Sequence, residues 1–338
     1  MKIAIHHNKD SFSERWIKYC EQNKIDYKIV NAYDNDIIQQ IDGCDCFMWH
    51  FYQGDYRDMQ MAKALILSLE VKGVRCFPDS STCWYFDNKV WEKYLLEAVG
   101  APLVPSYVFY TQKEALEWVS SATFPKVFKL KGGAGASNVK LAHTPKEAKK
   151  FIKQGFGKGF AQYRWREHFK ETWRKYRLGK ATIRDVLRPI KYAFRHFPTT
   201  FDHYHGREIG YVYFQDFIPD NTTDFRIKVV NGNCWGFQRK VRSGDFRASG
   251  SGELIFDNSK IPIVLVKIAQ IVAKKIAVQS IAFDFVYDKG KKQYLIVEMS
   301  YGFGFDEEES HNGYWDKSLA FHPEPFNPFG WMVDNLMK

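Results

Sequence analysis

A glycine-rich loop between two apolar stretches is the feature that most constrains the fold of this chain. The segment FPKVFKLKGGAGASNV, residues 124–139, runs from apolar residues into glycines and back to apolar residues. A Walker A loop would need Lys-Ser or Lys-Thr after the glycines, and none follows. A dinucleotide-binding loop would open a helix, whereas the following NVKLA has the pattern of a strand. The sequence therefore predicts a strand, a glycine loop and a second strand.

Such a hairpin can close as a flap over the phosphates of a nucleotide. The backbone N–H groups of a glycine-rich loop can approach an anion closely and donate hydrogen bonds to it. Lys129, on the preceding strand, would add a point charge for the same phosphates. The loop alone also permits a flexible hairpin tip without a ligand. The predicted contacts from the loop are Gly132, Gly133, Gly135 and Ser137.

Two acidic residues near the C-terminus predict a cation site. In IAFDFVYDKGKKQYLIVEMS, strand alternation places Glu298 on the face of Ile296. If this hairpin closes with Asp288 opposite Tyr294, then Asp284 lies directly opposite Glu298. Opposed carboxylates destabilise a sheet unless they share a proton or bind a cation, and Mg²⁺ fits because it takes one or two carboxylates plus phosphate oxygens. The alternative, in which both carboxylates face water, is disfavoured by the apolar residues around them.

The pattern along the 338 residues predicts an α/β fold with several parts. Alternating strands and helices at the N-terminus predict a βαβ domain with a parallel sheet. An α+β lobe containing the glycine loop follows, then a basic helical insertion, then a lobe rich in strands, then a tail rich in glycine, proline and aromatics. The predicted bounds are 1–80, 81–157, 158–208, 209–304 and 305–338.

The net charge of +10 is concentrated in one segment. Between Lys158 and Arg195 there are twelve Lys and Arg against three Asp and Glu, an excess of nine. Aromatic residues are spaced through the same segment close to one helical stripe, which predicts a helix near 162–178. We expect residues 158–196 to contact an anionic polysaccharide or membrane surface, with nucleic acid the least favoured partner. A solvated helical face, packed by its own aromatics, is the alternative.

The sequence also predicts a cytoplasmic protein, with peripheral contact at the inner face of the membrane as an extension of the basic segment. The N-terminal residues MKIAIHHNKD lack the apolar core of a signal peptide. The most apolar helical stretch is interrupted by Lys267, Lys274 and Lys275. The six cysteines have no disulfide or metal-site spacing, so they are expected to be free thiols.

The ordered motifs of the chain resemble the ATP-grasp superfamily. The series runs DNK, FPKVFK, GGAGASN, YFQDFI, DFRIKVV, RKVRSGDFRAS, FDFVYD and VEMS, and it extends over roughly residues 77–304. The resemblance implies the ATP-grasp fold, with the N-terminal βαβ layer as a pre-ATP-grasp domain. The tail is similar to the ends of ATP-grasp proteins of the carboxylate–amine ligase type in capsule and O-antigen polysaccharide synthesis.

The resemblance implies a set of site residues for ATP and Mg²⁺. Lys89 and Lys129 would contact phosphates, and Arg239 and Arg247 would lie near the γ-phosphate and the acyl-phosphate as catalytic residues. Residues 215–218 would form the adenine-binding hinge. The remaining residues implied are Gln215, Phe217 and Ile218 at the hinge, Asp224 at the ribose with Asp220 as second choice, and Asp284, Glu298 and Ser300 at Mg²⁺.

Two positions depart from the pattern of the superfamily. Ser300 stands where Asn commonly follows the second metal carboxylate, and Ser249 stands at another common Asn position. A serine hydroxyl reaches less far than an amide oxygen, so a water molecule would complete the metal coordination. These departures bear on whether two metal ions are bound with full activity.

The chemistry implied by the resemblance is ATP-dependent activation of a carboxylate, followed by attack of an amine to form an amide and release ADP. The carboxylate would belong to a small molecule or to a glycan, such as a uronate of a surface polysaccharide. His311, Trp315 and His322 in the tail are candidates for an acceptor site. Two alternatives are a small-molecule kinase on the same fold and a nucleotide-binding scaffold without catalysis. The residues do not identify the amine or the oligomeric state.

Overall fold

A computed structural model describes residues 1–133, 138–161, 165–177, 179, 181–191, 200–241 and 253–338. Within this structure the N-terminal domain is a four-stranded parallel sheet of order β2-β1-β3-β4, which confirms the predicted βαβ layer. The sheet is covered on both faces, as parallel sheets normally are. Its elements are β1 (Lys2–His6), α1 (Phe12–Asn23), β2 (Asp26–Val30), α2 (Ile37–Gln40), β3 (Cys46–Met48), α3 (Tyr56–Val71) and β4 (Arg75–Phe77).

The second part of the chain is an α+β lobe whose central feature is the glycine-loop hairpin. Strands β6 and β7 pair antiparallel, with Lys129 opposite Val139, so the predicted strand–loop–strand is confirmed. Helices α6 and α7 cover one face of the sheet with a shared apolar core. The elements are α4 (Ser80–Cys83), α5 (Lys89–Ala98), β5 (Ser106–Phe109), α6 (Gln112–Ser121), β6 (Lys126–Lys129), β7 (Val139–Ala142) and α7 (Pro145–Phe156).

The described part of the basic segment contains a helix at Trp165–Arg177, where the aromatic spacing predicts one. Helices α8 and α9 contact each other, and α10 contacts α3 of the N-terminal domain. The short strands at the two ends of the segment pair with each other, which closes it as an excursion from the lobe. Its elements are β8 (Phe160–Ala161), α8 (Trp165–Arg177), α9 (Ile183–Lys191), α10 (Thr200–His205) and β9 (Arg207–Glu208).

The remaining strands divide between two sheets. Strand β10 (Val212–Asp216) pairs with β5 and β6 of the preceding lobe, rather than with the strands that follow it in sequence. The other strands form a large antiparallel sheet of order β15-β14-β11-β12, and β13 lies beside β12. These elements are β11 (Thr223–Val230), β12 (Asn233–Lys240), β13 (Leu254–Ile255), α11 (Ile263–Lys275), β14 (Ser280–Asp288) and β15 (Gln293–Ser300), with a 3₁₀ turn at Asn258–Lys260.

The two faces of the large sheet have different roles. One face packs against α11 and α5 in an apolar core. The opposite face carries polar residues at one end, while its other end packs against the N-terminal domain through Val230, Trp235 and Ala282. The polar end carries Arg226, Arg239 and Asp284, of which Arg239 and Asp284 are buried.

The tail holds the large sheet and the N-terminal domain together. Strand β16 (Tyr314–Trp315) pairs with β12, and β17 (Phe321–His322) pairs with β16. Helix α12 (Pro328–Leu336) packs against α1 and the core beneath it. All six cysteines are free thiols, as predicted, and all except Cys44 are buried.

The hairpin β14–β15 has the predicted pairing of the two acidic residues, but its register near the turn differs from the prediction. Asp284 lies opposite Glu298, as predicted, but Asp288 lies opposite Gln293 instead of Tyr294. A β-bulge restores the register, because Phe285 pairs with Ile296 and leaves Val297 as the extra residue. The bulge also corrects the predicted face of Ile296, which packs in the apolar core opposite the carboxylates.

A buried ion pair joins the tail to the large sheet. Lys228 Nζ on β11 donates to Glu309 Oε1 at 2.7 Å and to the carbonyl oxygen of Gly304 at 2.7 Å. Glu309 lies in a 3₁₀ turn, Glu307–His311, and its other oxygen accepts from Trp235 Nε1 at 2.8 Å. Both charged side chains are buried, so each depends on the other for neutralisation.

Replacing Glu309 with glutamine is expected to destabilise the protein by about 3 kcal/mol, because it keeps the shape but leaves the Lys228 ammonium buried without a counter-charge. The free energy of unfolding can be measured by urea denaturation. Glu308→Gln, at an exposed neighbouring position, is the matched control. Equal unfolding midpoints for the two variants would show that the pair does not stabilise the fold.

Candidate functional site

One lysine side chain connects the glycine loop with the carboxylate hairpin. Lys89 Nζ donates to the carbonyl oxygen of Gly133 at 2.9 Å and lies 3.2 Å from Glu298 Oε1. Lys89 is the first residue of α5, and Asn88 caps this helix by accepting from the N–H groups of residues 90 and 91. The loop and the acids, predicted from separate parts of the sequence, therefore meet at one ammonium group.

The second lysine, Lys129, lies on β6 beside the same carboxylates. Its Nζ donates to Gln215 Oε1 at 2.7 Å, and its side chain is buried. Burial lowers the pKa of Lys129 to about 8, opposed by the negative charge of Glu298 and supported by the positive charge of Lys89. For Lys89, burial also disfavours the charged form, but the charges of Glu298, Glu92 and Asp87 outweigh it and raise the pKa.

Two further carboxylates belong to this cluster and were missed by the sequence analysis. Glu92 is buried one helical turn from Lys89, and its Oε2 accepts from the backbone N–H of Met299 at 3.3 Å. Burial, reinforced by Glu298, raises the pKa of Glu92 to about 8. Asp87 is half-buried, and its partial removal from water raises its pKa to about 6 against the opposing charge of Lys89. The i, i+3 spacing of Lys89 and Glu92 was the available signal.

Asp87 also fixes the beginning of the glycine loop. Its Oδ1 accepts from the backbone N–H of Gly133 at 3.0 Å, and Gly133 has a positive φ of 105° that favours glycine. A Cβ at Gly132 would lie 3.0 Å from Asp87 Oδ2, so a larger residue would displace this clamp. Gly135 and Ser137 lie outside the described residues.

The predicted hinge residue Gln215 has its side chain directed into the protein. Besides accepting from Lys129, it donates through Nε2 to Ser106 Oγ at 3.1 Å and to the carbonyl oxygen of Val297 at 3.3 Å. Its amide therefore positions Lys129 and the β-bulge, and its adenine contact stays a prediction. Phe217 and Ile218 follow in the connection to β11, where their adenine contacts stay a prediction.

An arginine–carboxylate cluster occupies the polar end of the large sheet. Arg239 donates through Nε and Nη2 to the two oxygens of Asp224 at 2.8 and 2.5 Å. Its Nη2 also lies 2.7 Å from Asp284 Oδ2. Arg226, which was not predicted, donates to the two oxygens of Asp284 at 2.7 and 2.8 Å. Strand alternation places Arg226 on the face of Asp224, which is the signal that could have found it.

The predicted site residues Asp284, Asp224 and Arg239 therefore form ion pairs with arginine or aspartate side chains in this structure. Burial disfavours the charged form of Asp284, but the positive charges of Arg226 and Arg239 outweigh it and hold its pKa below the ordinary value. Both oxygens of Asp224 are engaged by Arg239, so its ribose contact stays a prediction. The phosphate contact of Arg239 likewise stays a prediction, and Arg247 lies outside the described residues.

The donor set fits Mg²⁺ in part. Glu298 keeps 36% of its side chain exposed, and Ser300 lies two residues further along the same strand. Asp284 can join them only by giving up a guanidinium contact. Among the residues that the structure describes, no three acidic, histidine or cysteine side chains form a metal cluster. Mg²⁺ here would therefore be held by Glu298 and Asp284 together with phosphate oxygens, which is its usual coordination in nucleotide sites.

Two of the residues proposed for an acceptor site, Trp315 and His322, lie in the tail hairpin away from this cluster. The third, His311, has its Nδ1 3.1 Å from the carbonyl oxygen of Glu307 in the 3₁₀ turn. Trp315 is buried in the apolar core and pairs with Cys234, five residues along β12 from Arg239, which corresponds to about 17 Å. His322 Nε2 lies 3.0 Å from Asp316 Oδ2 and its ring stacks on Tyr314. These contacts give Trp315 and His322 a structural role in the tail hairpin.

The fold is shared with solved ATP-grasp proteins along the whole chain. The RimK domain protein ATP-grasp from Sphaerobacter thermophilus DSM 20745 matches with a TM-score of 0.59 and 10% identity over 100% of both chains. D-cycloserine synthetase DcsG matches with a TM-score of 0.62 and 11% identity over 100% of both chains. ATP-grasp ligase PsnB, in complex with a minimal precursor, Mg and ADP, matches with a TM-score of 0.54 and 11% identity over 99% of this chain and 97% of that chain.

Neither a protein-family model nor a curated protein matches the sequence. The structural similarity shows that this chain has the ATP-grasp fold, as the ordered motifs predict. Solved proteins with this fold include a ligase in complex with ADP and magnesium.

The affinity for a non-hydrolysable ATP analogue is expected to fall about tenfold between pH 7 and pH 9, because Lys129 loses its proton above pH 8. Isothermal titration calorimetry at several pH values measures this change. Lys129→Met should bind more weakly at pH 7 and show a flatter profile. Any dependence that remains in this variant reports Glu92, which gains negative charge over the same range.

Lys113→Met, on an exposed side chain, is the control and should reproduce the wild-type profile. A wild-type affinity that is constant over this pH range would contradict the assignment of Lys129 to the phosphates.

Proposed function

We propose that this protein is an ATP- and Mg²⁺-dependent carboxylate–amine ligase that releases ADP. The observation that supports this most is the position of Lys89, whose ammonium contacts both the glycine loop and Glu298. A triphosphate bound at this point would meet two lysines, backbone N–H groups of the loop and a metal-binding carboxylate. That combination suits phosphoryl transfer, in which the enzyme mainly positions and neutralises charge.

The proposed reaction has two steps, a phosphoryl transfer and an acyl transfer. In the first, a carboxylate oxygen of the acceptor attacks the γ-phosphorus, the bond to the β–γ bridging oxygen breaks, and ADP leaves. In the second, an amine attacks the acyl carbon, inorganic phosphate leaves, and the nitrogen loses a proton. The product is an amide.

Residues of this chain have separate tasks in that reaction. Lys89 and Lys129 would hold the phosphate oxygens and offset the charge that develops during transfer. Arg226, the more exposed arginine of the cluster, would attract the acceptor carboxylate, and its side chain is 25% exposed against 6% for Arg239. The glycine loop would cover the acyl-phosphate and exclude water that would hydrolyse it. Bound Mg²⁺ would supply further charge neutralisation at the phosphates.

The substrate class we favour is a uronate or similar carboxylate of a surface polysaccharide, joined to an amino acid or another amine. The support is the similarity of the tail to ATP-grasp proteins of capsule and O-antigen synthesis.

A kinase that phosphorylates a small molecule is the second candidate, and a scaffold that binds nucleotide without turnover is the third. The scaffold is favoured by Ser300 in place of asparagine and by the arginine contacts that occupy Asp284. The three functions differ in what they release from ATP and in whether an activated acyl group forms.

Incubation with ATP, Mg²⁺, glucuronate-containing oligosaccharides and hydroxylamine is expected to release ADP and form a hydroxamate, because hydroxylamine captures the acyl-phosphate. Mass spectrometry and coupled ADP detection measure the two products together. Release of ADP with a stable phosphate ester would identify a kinase instead. Binding of ATP without ADP release, over a panel of carboxylates, would identify a scaffold.

Glu298→Gln is expected to lower turnover at least about 100-fold and to raise the Mg²⁺ concentration needed for half-maximal turnover, since the amide is a far weaker metal ligand than the carboxylate. Steady-state ADP release over a Mg²⁺ titration is the measurement, with Glu308→Gln as the control. Unchanged turnover in Glu298→Gln would remove this residue from the proposed site.

A further inference from the structure

The positive charge of the chain is concentrated in an excursion that the ligase site does not use and whose described residues form helices α8 and α9. Residues 158–195 carry nine of the ten excess positive charges, from twelve Lys and Arg against three Asp and Glu. Helices α8 and α9 belong to this excursion and contact each other. A solvated charged face would account for the lysines and arginines, but it would not account for exposed apolar side chains beside them.

Helix α9 exposes an aliphatic stripe. Ile183, Leu187 and Ile190 are spaced i, i+4 and i+7, which places them along one side of the helix. Their exposed fractions are 48%, 55% and 39%. The side that packs against the protein is a different one and carries the buried residues Val186 and Pro189. The residues of the aliphatic stripe therefore take no part in the packing of α9, and they face solvent.

Basic residues flank this stripe on the same helix. Arg184 and Arg188, four residues apart, form an exposed row beside the aliphatic one. The only acidic residue of α9, Asp185, is engaged locally by accepting from the N–H and hydroxyl groups of Thr182. An aliphatic row bordered by arginines is the pattern of a helix that lies in a membrane interface.

Helix α8 adds exposed aromatic residues next to α9. Trp173 and Tyr176 are 44% and 42% exposed, and their ring centroids are 5.9 Å apart. Arg177 follows directly and is exposed. Tryptophan and tyrosine are enriched at the interface between lipid and water, because their rings are apolar and their N–H or O–H groups remain hydrated.

We propose that the α8–α9 hairpin docks on an anionic phospholipid surface, with the aliphatic stripe in the acyl-chain boundary and the arginines at the headgroups. A second copy of the chain is disfavoured as occupant because the two faces would carry the same charge. An acidic polysaccharide would satisfy the arginines but leave the aliphatic stripe in water. The contact is at a surface, since no helix among the described residues has both the length and the apolar character to span a bilayer.

The excursion contacts two other parts of the protein, so its docking on a surface would fix the orientation of both. Strands β8 and β9 pair at its base, and Tyr204 of α10 lies beside Tyr56 of α3, with ring centroids 5.9 Å apart. The hairpin is thus anchored both to the lobe that carries the glycine loop and to the N-terminal domain. Docking does not depend on the ligase reaction, so it can be tested even if the carboxylate substrate is not a polysaccharide uronate.

The experiment is sedimentation of the full-length protein with vesicles of phosphatidylcholine containing roughly one-third phosphatidylglycerol, compared with phosphatidylcholine alone. The wild type is expected to bind the anionic vesicles at least about tenfold more tightly, and to lose most of this binding at high salt. Leu187→Glu/Ile190→Glu should weaken binding to anionic vesicles at least about tenfold. Leu67→Glu/Ile271→Glu, at residues 54% and 56% exposed on α3 and α11, is the matched control and should bind within about twofold of wild type.

Thermal unfolding of each variant establishes that it is folded, and Arg184→Gln/Arg188→Gln provides a second test that leaves the aliphatic stripe intact. This variant should lose the preference for anionic over neutral vesicles. Equal binding of the wild type to both vesicle types, or equal binding of the Leu187/Ile190 variant and its control, would overturn the proposal. Binding to polygalacturonate in solution without binding to vesicles would overturn it in favour of a polysaccharide partner.

Discussion

The site depends on the placement of a buried ammonium group between two parts of the chain that are far apart in sequence. Lys89 is removed from water at the beginning of α5, and an isolated charge there would be strongly unfavourable. It is stabilised because Gly133 supplies a carbonyl oxygen from one side and Glu298 supplies a carboxylate from another. The glycine loop and the large sheet are thus held at the same point by the charge that a phosphate would also contact.

The β-bulge at Val297 is the second constraint, since it decides which residues face this point. Without the extra residue, the register that begins at Asp288 and Gln293 would place Val297 opposite Asp284 and turn Glu298 toward the apolar core. The carbonyl oxygen of Val297 accepts from Gln215, and Gln215 in turn accepts from Lys129. One amide side chain therefore couples the shape of β15 to the position of the second lysine.

The electrostatic arrangement differs between the two ends of the site. Around Lys89 there are three carboxylates, from Asp87, Glu92 and Glu298, of which the first two have raised pKa values because they are partly or wholly buried. Around Asp284 there are two arginines, which keep that carboxylate ionised. Carboxylates thus predominate around Lys89, whereas guanidinium groups surround the carboxylate of Asp284.

Local patterns in the sequence determined the elements and most of the candidate residues. Alternation and helical spacing predict the parallel N-terminal sheet and the strand–loop–strand around the glycines, because each arises within a short stretch of chain. The opposition of Asp284 and Glu298 also required the bulge at Val297. Tertiary structure decided the rest. The pairing of β10 with the earlier lobe, the bulge fixed by Gln215, and the arginine partners of Asp284 each depend on neighbours brought together from distant positions. Sequence periodicity carries no information about such neighbours, since the energies of burial and ion pairing exist only once the lobes have met.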